Sequence, residues 1–405
     1  MRNKKIAVIG GGLTGLTAAY CLTKRNFDVT IFEKEDHLGG LAATFKDKNW
    51  KWPLEIFFHH LFTSDHQAKN LINELGLGNK LFFKKSPSSI FYGNRIYRFD
   101  SAMSVLKFSP LTFFNRLRTG LATVSIKTFL PWQIIENKPA NIFSKQFFGQ
   151  QVSQILWQPL LKGKFGSHQQ TISAAWFWAR IKKRSSKLGY LEGSFQVLID
   201  KLEKEIKRNK GQIKLNQEIK SLNQLKNFDN IIITTAGQLF DKKQSWPKMI
   251  GAINLVLSLK KPFFNDGTYW LNINDNDFPF IAVVEQTNFV DQKNYNQNSL
   301  LYLGGYYPSG HPFFKYNQQQ LLKKFLPFLK RINPEFKLNN NLNEVFIFKK
   351  PYAQPIMPTG YSRILNQLQK QNGKSVIANM QLIYPYDRGI NYAIKIGQEA
   401  AGKIN

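Results

Sequence analysis

An α/β fold is predicted for this chain: a Rossmann-type dinucleotide-binding domain, discontinuous in sequence, with an inserted mixed domain and a helical lobe. Three observations predict it. Near the N-terminus an apolar run, Ile6-Ala7-Val8-Ile9, enters Gly10-Gly11-Gly12-Leu13-Thr14-Gly15, and a second run, Val29-Thr30-Ile31-Phe32, ends on Glu33. Buried-strand patterns return much later, at Asp229–Ala236 and Ser375–Ala378. Between these runs lie a basic, aromatic stretch of helical pattern and then a stretch of β pattern.

The first unit reads as strand, helix, strand, with Gly12–Lys24 as the helix that crosses between the two apolar runs. Gly10 permits the tight turn, Gly12 lets backbone N–H groups approach a pyrophosphate at the helix N-terminus, and Gly15 lets helix and strand lie close. Glu33 sits about 20 residues on, where a carboxylate accepts hydrogen bonds from a ribose 2′-OH. A 2′-phosphate would be repelled there, so the unit favours FAD or NAD over NADP. The single cysteine, Cys21, falls inside this helix; a disulfide framework is excluded and a reducing compartment fits.

Downstream, a helix at Ala68–Leu75 ends on Gly76, and a short hairpin at Phe91–Tyr97 opens the lobe. From Ser104 to Tyr190 there are thirteen Lys and Arg against one acid, Glu136, with Trp132, Trp157, Trp176 and Trp178 among them. Such a lobe is suited to cover a substrate entrance and to touch an anionic membrane, with its Trp and Phe side chains at the headgroup boundary; the other reading is that these aromatics are core. Phe195–Arg208 follows as an amphipathic helix, Ile213–Leu215 as a strand, and Asp229–Ala236 as a buried strand ending in small residues beneath a nucleotide. Ile253–Leu259, Ile281–Glu285 and Leu300–Gly304 read as strands, Gln318–Leu329 as a helix, and Asn339–Asn341 as a solvated turn. A strand at Ser375–Ala378 and a helix from near Gly389 close the chain. The expected division is residues 1–85, 186–249 and 351–405 for the nucleotide-binding domain, 86–185 for the helical lobe and 250–350 for a β-rich substrate domain.

Composition narrows the function. A net charge of +30 invites a nucleic-acid reading, but Lys, Asn, Ile and Phe are enriched together, as AT-rich coding would give. No zinc-knuckle, helix-turn-helix or RNA-recognition signature accompanies the charge, so no nucleic-acid partner is expected. The 34 Phe and 14% aromatic residues instead suit flat apolar ligands or a membrane surface. No apolar run is long enough to span a bilayer, and the chain passes from Met1-Arg2-Asn3-Lys4-Lys5 straight into its first strand. A cytoplasmic protein is expected, with at most peripheral contact on the inner face of the cell membrane. There is no Gly-x-Ser-x-Gly elbow, and Gly373-Lys374-Ser375 has Leu368 where a P-loop needs glycine, which excludes a hydrolase and a triphosphatase. With neither His-Glu-x-x-His nor paired cysteines, no metal is expected.

The segment Glu33-Lys34-Glu35-Asp36-His37-Leu38-Gly39-Gly40-Leu41, an acid, five residues and a glycine doublet, resembles the amine oxidase, phytoene desaturase and protoporphyrinogen oxidase superfamily of flavoproteins. The resemblance implies FAD in a GR2-like domain, with the doublet against the ribityl-phosphate region, where only glycine lets the chain pass so close. It implies that the loop and helix at Arg388-Gly389-Ile390-Asn391 lie beside the isoalloxazine, where a helix N-terminus favours the anion formed on reduction. Ala378-Asn379 stands where the superfamily usually has Gly-Asp. The segment Glu55–Asp65 resembles one that lies over the flavin in relatives that include sugar-ring mutases. Side chains alternate along an extended chain, so only one of His59 and His60 can face the flavin. Ile155–Gly166, Ala174–Arg180 and Leu188–Phe195 resemble the protoporphyrinogen-oxidase-like branch.

The expected cofactor-binding residues are therefore Gly10, Gly12, Leu13, Thr14, Gly15, Glu33, Lys34, Gly39, Gly40, Leu41, Ala236, Asn379, Arg388, Gly389, Ile390 and Asn391. His59, His60 and Arg180 are the candidates for catalysis. Lys162, Lys164 and Arg180 are either partners for substrate carboxylates or exposed surface. The implied activity is an FAD-dependent oxidoreductase acting on a small-molecule substrate, with oxygen or a quinone as electron acceptor. A flavin-dependent nucleotide-sugar mutase and a carotenoid desaturase are the alternatives.

Overall fold

Five strands pair in parallel, and the central three, formed by the apolar runs at Asp28–Phe32, Lys5–Ile9 and Asn230–Ile233, are almost wholly buried. In the computed structural model, which describes residues 4–240, 245–368 and 373–405, the order across this sheet is Gln212–Lys214, Asp28–Phe32, Lys5–Ile9, Asn230–Ile233, Ser375–Ile377. Met1–Asn3 lie outside the described residues. Val8 stands opposite Ile31 on one side and Ile232 on the other. The near-continuous apolar content of the central strands follows from helices covering the sheet.

Helix Leu13–Thr23 is buried over almost its whole length and packs against the closing helix Ile390–Gly402 and helix Gln196–Arg208. A Cβ on Gly397 of the closing helix would stand 2.5 Å from the Thr14 carbonyl oxygen. The last helix of the chain thus crosses the first at near contact, and the domain draws on both ends of the sequence.

A second, seven-stranded sheet has the order Leu342–Pro355, Met249–Leu259, Ser299–Tyr307, Ala282–Glu285, Trp270–Ile273, Ser88–Tyr92, Arg95–Arg98. It is antiparallel except where Trp270–Ile273 meets Ser88–Tyr92. The hairpin expected to open the lobe therefore adds two strands to this sheet. Asn339–Asn341, expected as a turn, belongs to the short helix Leu338–Asn341.

The lobe packs helices Phe113–Thr128, Ala140–Phe148, Gln158–Phe165 and Ala174–Lys183 around Phe143, Phe148, Phe165, Trp176 and Phe177. Trp176 and Trp178 are buried, and Trp132 and Trp157 pack against the same core. Among the described residues no helix is long and apolar enough to cross a membrane.

Candidate active site

The glycine turn closes first. Gly10 has φ +105°, a left-handed conformation that disfavours any side chain. A Cβ on Gly15 would stand 2.0 Å from the Gly10 carbonyl oxygen, so only glycine fits where the helix leaves the strand. The Gly39 N–H donates to the Gly11 carbonyl (2.9 Å), laying the doublet against the turn. The buried Glu33 carboxylate ties the turn together: Oε2 accepts from the Gly11 N–H (2.6 Å) and Oε1 from the Glu35 N–H (3.0 Å). A carboxylate has about four acceptor positions, so two remain for hydroxyl donors.

Around the carboxyl ends of the parallel strands runs a cavity of about 480 Å³. Gly10, Gly12, Leu13, Thr14, Glu33, Lys34, Gly39, Gly40, Leu41 and Ala236 line it, as do Asn379, Arg388, Gly389, Ile390 and His59. This is where open α/β sheets bind ligands. A Cβ on Gly12 would meet nothing nearer than Gly40 Cα at 3.8 Å, and one on Gly389 nothing within 4 Å; both face space rather than protein. Two buried polar atoms in this wall, Thr235 Oγ1 and Arg388 Nε, have no hydrogen-bond partner among the described residues. A polar, elongated ligand would satisfy them, and the residues fit FAD.

Four expected residues lie elsewhere. Gly15 serves the packing just described. Asn391 turns its Oδ1 to accept from the Ala68 N–H (3.1 Å), docking the closing helix onto helix His66–Glu74. His60 points away from the cavity, edge-on to Phe62 and Trp270, because alternation gives the inward place to His59. Arg180 pairs with Asp387 at 3.6 Å, outside the cavity wall.

His59 Nδ1 lies 2.6 Å from the Phe57 carbonyl oxygen, which can only accept, so Nδ1 carries the proton. Burial, and then the charge of Arg388, push its pKa down to about 4. The ring is neutral with Nε2 unprotonated. Asn379 supports the wall with both ends of its amide: Nδ2 donates to the Thr235 carbonyl (2.8 Å) and Oδ1 accepts from the Gln381 N–H (2.9 Å). A carboxylate here could not donate to Thr235, which gives the Ala378-Asn379 departure a physical reason.

Behind Arg388 sits a charge cluster, buried at Lys164 and half-buried at Arg180, Tyr306 and Asp387. Lys164 Nζ donates to Asp387 and lies over the rings of Trp176 (5.1 Å) and Tyr306 (5.4 Å). Arg388 donates to the Tyr306 hydroxyl (2.9 Å). Burial alone would raise the Asp387 carboxyl, but Lys164 and Arg180 outweigh it and hold the pKa at about 2. Burial pulls Lys164 down in turn, against the opposing pull of Asp387. Three cations face one carboxylate and one phenol, a net positive site.

Sequence reasoning missed the far end of the cavity, where Gln217, Glu218 and Ile219 follow strand Gln212–Lys214 and Lys350 pairs with Glu35 at 3.0 Å. The position just past the third parallel strand was the available signal. Lys164, a candidate in the sequence, is buried on Asp387 rather than exposed; that pairing and the part of Tyr306 carried no local signal, since the contacts join residues far apart in the chain.

A parallel sheet with a glycine turn, an acid at the next strand end and a long cavity across the strand tips defines a nucleotide-binding protein of the Rossmann type. Within that class, residues 13–242, more than half of the chain, match the flavin containing amine oxidoreductase family, and the chain belongs to it. FAD is its cofactor. Mitochondrial protoporphyrinogen oxidase of Nicotiana tabacum is 26% identical over 174 residues, 42% of this chain and 34% of that protein. The chain thus aligns with about a third or less of the length of such relatives. A proposed protoporphyrinogen oxidase from Exiguobacterium sp. 255-15 superposes with a TM-score of 0.77 at 16% identity, covering 100% of this chain and 99% of that one. Reduced UDP-galactopyranose mutase superposes with a TM-score of 0.73 at 15% identity, covering 100% and 94%. Both likenesses concern the fold.

Proposed function

We propose that this protein is a cytoplasmic FAD-dependent oxidoreductase, protoporphyrinogen-oxidase-like, that oxidises a C–H or C–N bond of an apolar or anionic small molecule. The observation that carries this reading is the net positive, aromatic-lined cluster of Lys164, Arg180 and Arg388 behind the His59 end of the cavity. FAD, when bound, supplies a two-electron acceptor that takes hydride and returns electrons to oxygen or a quinone.

The chain's own residues orient and exclude water. Glu33 would hold the ribose hydroxyls, and the glycine turn the pyrophosphate. The N-terminus of helix Ile390–Gly402, with Arg388 beside it, sets a positive potential where negative charge develops. Leu41, Ile383 and Ile390 form apolar wall. His59, neutral with a free Nε2, can accept a hydrogen bond from a substrate N–H or O–H. The cluster would bind a carboxylate or phosphate of the substrate. The reading also includes peripheral contact with an anionic membrane, supported by the excess of basic residues in the lobe.

A second reading, a flavin-dependent nucleotide-sugar mutase, is favoured by the same three cations, which suit a diphosphate. Anaerobic mixing with porphyrinogens, carotenes and amines tests the first. Bleaching of the flavin band and its return on adding oxygen or quinone are expected. Turnover of a nucleotide sugar only after prior reduction, with no net bleaching, would overturn it in favour of the mutase.

A further inference from the structure

One face of the helical lobe reverses the usual amphipathic order. Helix Phe113–Thr128 turns Thr119, Ala122 and Ile126 inward, while Phe113, Phe114, Leu117, Leu121 and Val124 stand 41% to 81% exposed. Positions 113, 117, 121 and 124 recur at helical spacing and make one stripe. Phe129 (82%) and Ile134 (70%) extend it beyond the helix. Of the thirteen large hydrophobics exposed among the described residues, ten lie between 103 and 142. A contiguous apolar patch of this kind marks a docking surface.

The rim of the patch is positive. Lys107, Arg118, Lys127 and Lys138 are exposed around it, and among the described residues no Lys or Arg from 103 to 142 forms an ion pair with a carboxylate. Arg118 donates to the Gln146 and Phe147 carbonyls and Lys127 to the Arg184 carbonyl, contacts that leave their charge in place. Glu136, the acid of this stretch, is buried and accepts from the Ser362 N–H (2.8 Å).

We propose that this face docks on an anionic lipid surface. Phe113, Phe114, Leu121 and Phe129 enter the headgroup boundary while Lys107 and Lys127 meet lipid phosphates. Charge complementarity selects the occupant. A second copy would bring the same positive rim and the same net charge of +30 against itself, whereas an anionic membrane brings the opposite sign. The helix lies in the membrane plane, buried on one side by the lobe. Trp176 and Trp178, which sequence composition had offered to the membrane, are core and take no part. Helix Ala174–Lys183 links the docked face to the site: the Trp178 indole donates to the Leu130 carbonyl (2.6 Å) and Arg180 reaches Asp387, next to Arg388 in the cavity wall. The proposal deepens the membrane contact in the functional reading and rests on it, though not on the redox chemistry.

Co-sedimentation of the FAD-loaded protein tests it, using phosphatidylcholine vesicles with and without phosphatidylglycerol at low and high salt. The wild type is expected in the phosphatidylglycerol pellet. F114S/L121S/F129S, whose changes are all at the surface, should partition about tenfold less at both salt levels, because the apolar part of binding is not screened. K107Q/K127Q should lose binding a few-fold, and only at low salt. Bound-flavin absorbance in each variant reports an intact fold. Absence of the wild type from the phosphatidylglycerol pellet at low salt, or unchanged partition of the triple variant, overturns the proposal. So does a solution dimer that the triple variant dissociates without any vesicle binding. Flavin bleaching is read separately: vesicle binding without bleaching sinks the redox reading alone, and bleaching without vesicle binding sinks the docking face alone.

Discussion

Around the glycine turn the polar groups that matter belong to the main chain, whereas at the junction between cavity and lobe they belong to long charged side chains. The donors are the N–H groups of Gly11, Glu35 and Gly39; one carboxylate, Glu33, holds the first two and the Gly11 carbonyl the third. At the junction Lys164, Arg180, Asp387, Arg388 and Tyr306 arrive from separate elements, and each depends on its neighbours for a tolerable burial. A backbone cradle can serve many substrates, because changing side chains leaves it intact. A side-chain cluster is where one member of a family can differ from another, and where a single substitution leaves a charge stranded.

The sharpest break falls inside the cradle, between two glycines three residues apart. Gly15→Ala drives a Cβ into the Gly10 carbonyl, and a backbone atom cannot step aside. We expect a loss of about 3 kcal/mol or more in stability, read by denaturant unfolding. Gly12→Val meets open space in the protein, so the apoprotein should melt as the wild type does while FAD retention falls at least about tenfold, because the side chain takes the pyrophosphate's place. Equal behaviour of the two variants would show that Gly12 also guards packing.

Next in size is Lys164→Met. It leaves the half-buried Asp387 with Arg180 at 3.6 Å as its remaining close cation, and an expected cost of about 2 kcal/mol follows. Adding Asp387→Asn should recover much of that cost but not substrate affinity. If the double variant is no more stable than the single one, the pair is not the unit proposed here.

Acid should act on the same side of the molecule. Burial depresses His59 from 6.5 to about 4 and His60 from 6.5 to about 3. Unfolded imidazoles take up protons below about pH 6.5 while the folded ones resist, so the stability these positions contribute is present above that pH and is lost as pH falls. Asp387, held down from 3.8 to about 2, extends the loss to lower pH. Melting temperature should fall between about pH 7 and about pH 5, and less steeply in H59N/H60N. An identical acid limb in that variant would move the cause to other groups.

How much of this was legible in the sequence follows the same division. The parallel strands and the glycine turn could be read because their rule is local: an apolar run, a turn and an acid at a set distance. Leu342–Pro355 escaped notice because Lys349 and Lys350 interrupt its apolar content and its exposure does not alternate cleanly. Among the candidate residues, alternation required one histidine to face inward without saying which; packing against Trp270 took His60. Asn391 was read by its position at a helix start, yet its amide docks a neighbouring helix, a contact across the chain that no local pattern records.

The smallest expected effect is at the far end of the cavity, where side chains add to the backbone cradle without being needed by it. Lys350 and Glu35 meet at 3.0 Å with side chains 25% and 35% exposed. The Lys350 ammonium lowers the Glu35 carboxyl, against the opposing effect of burial. Both groups remain near water, so the pair should contribute less than about 1 kcal/mol to folding. Lys350→Met should therefore leave the melting temperature nearly unchanged. Since both residues line the cavity beside Glu33, it should instead weaken FAD binding by a few-fold, and salt should reduce the difference between variant and wild type. Titration of apoprotein with FAD at two salt concentrations measures this directly. A loss as large as that of Gly12→Val would mean that the ion pair, and not the main chain, holds the nucleotide end of the cofactor.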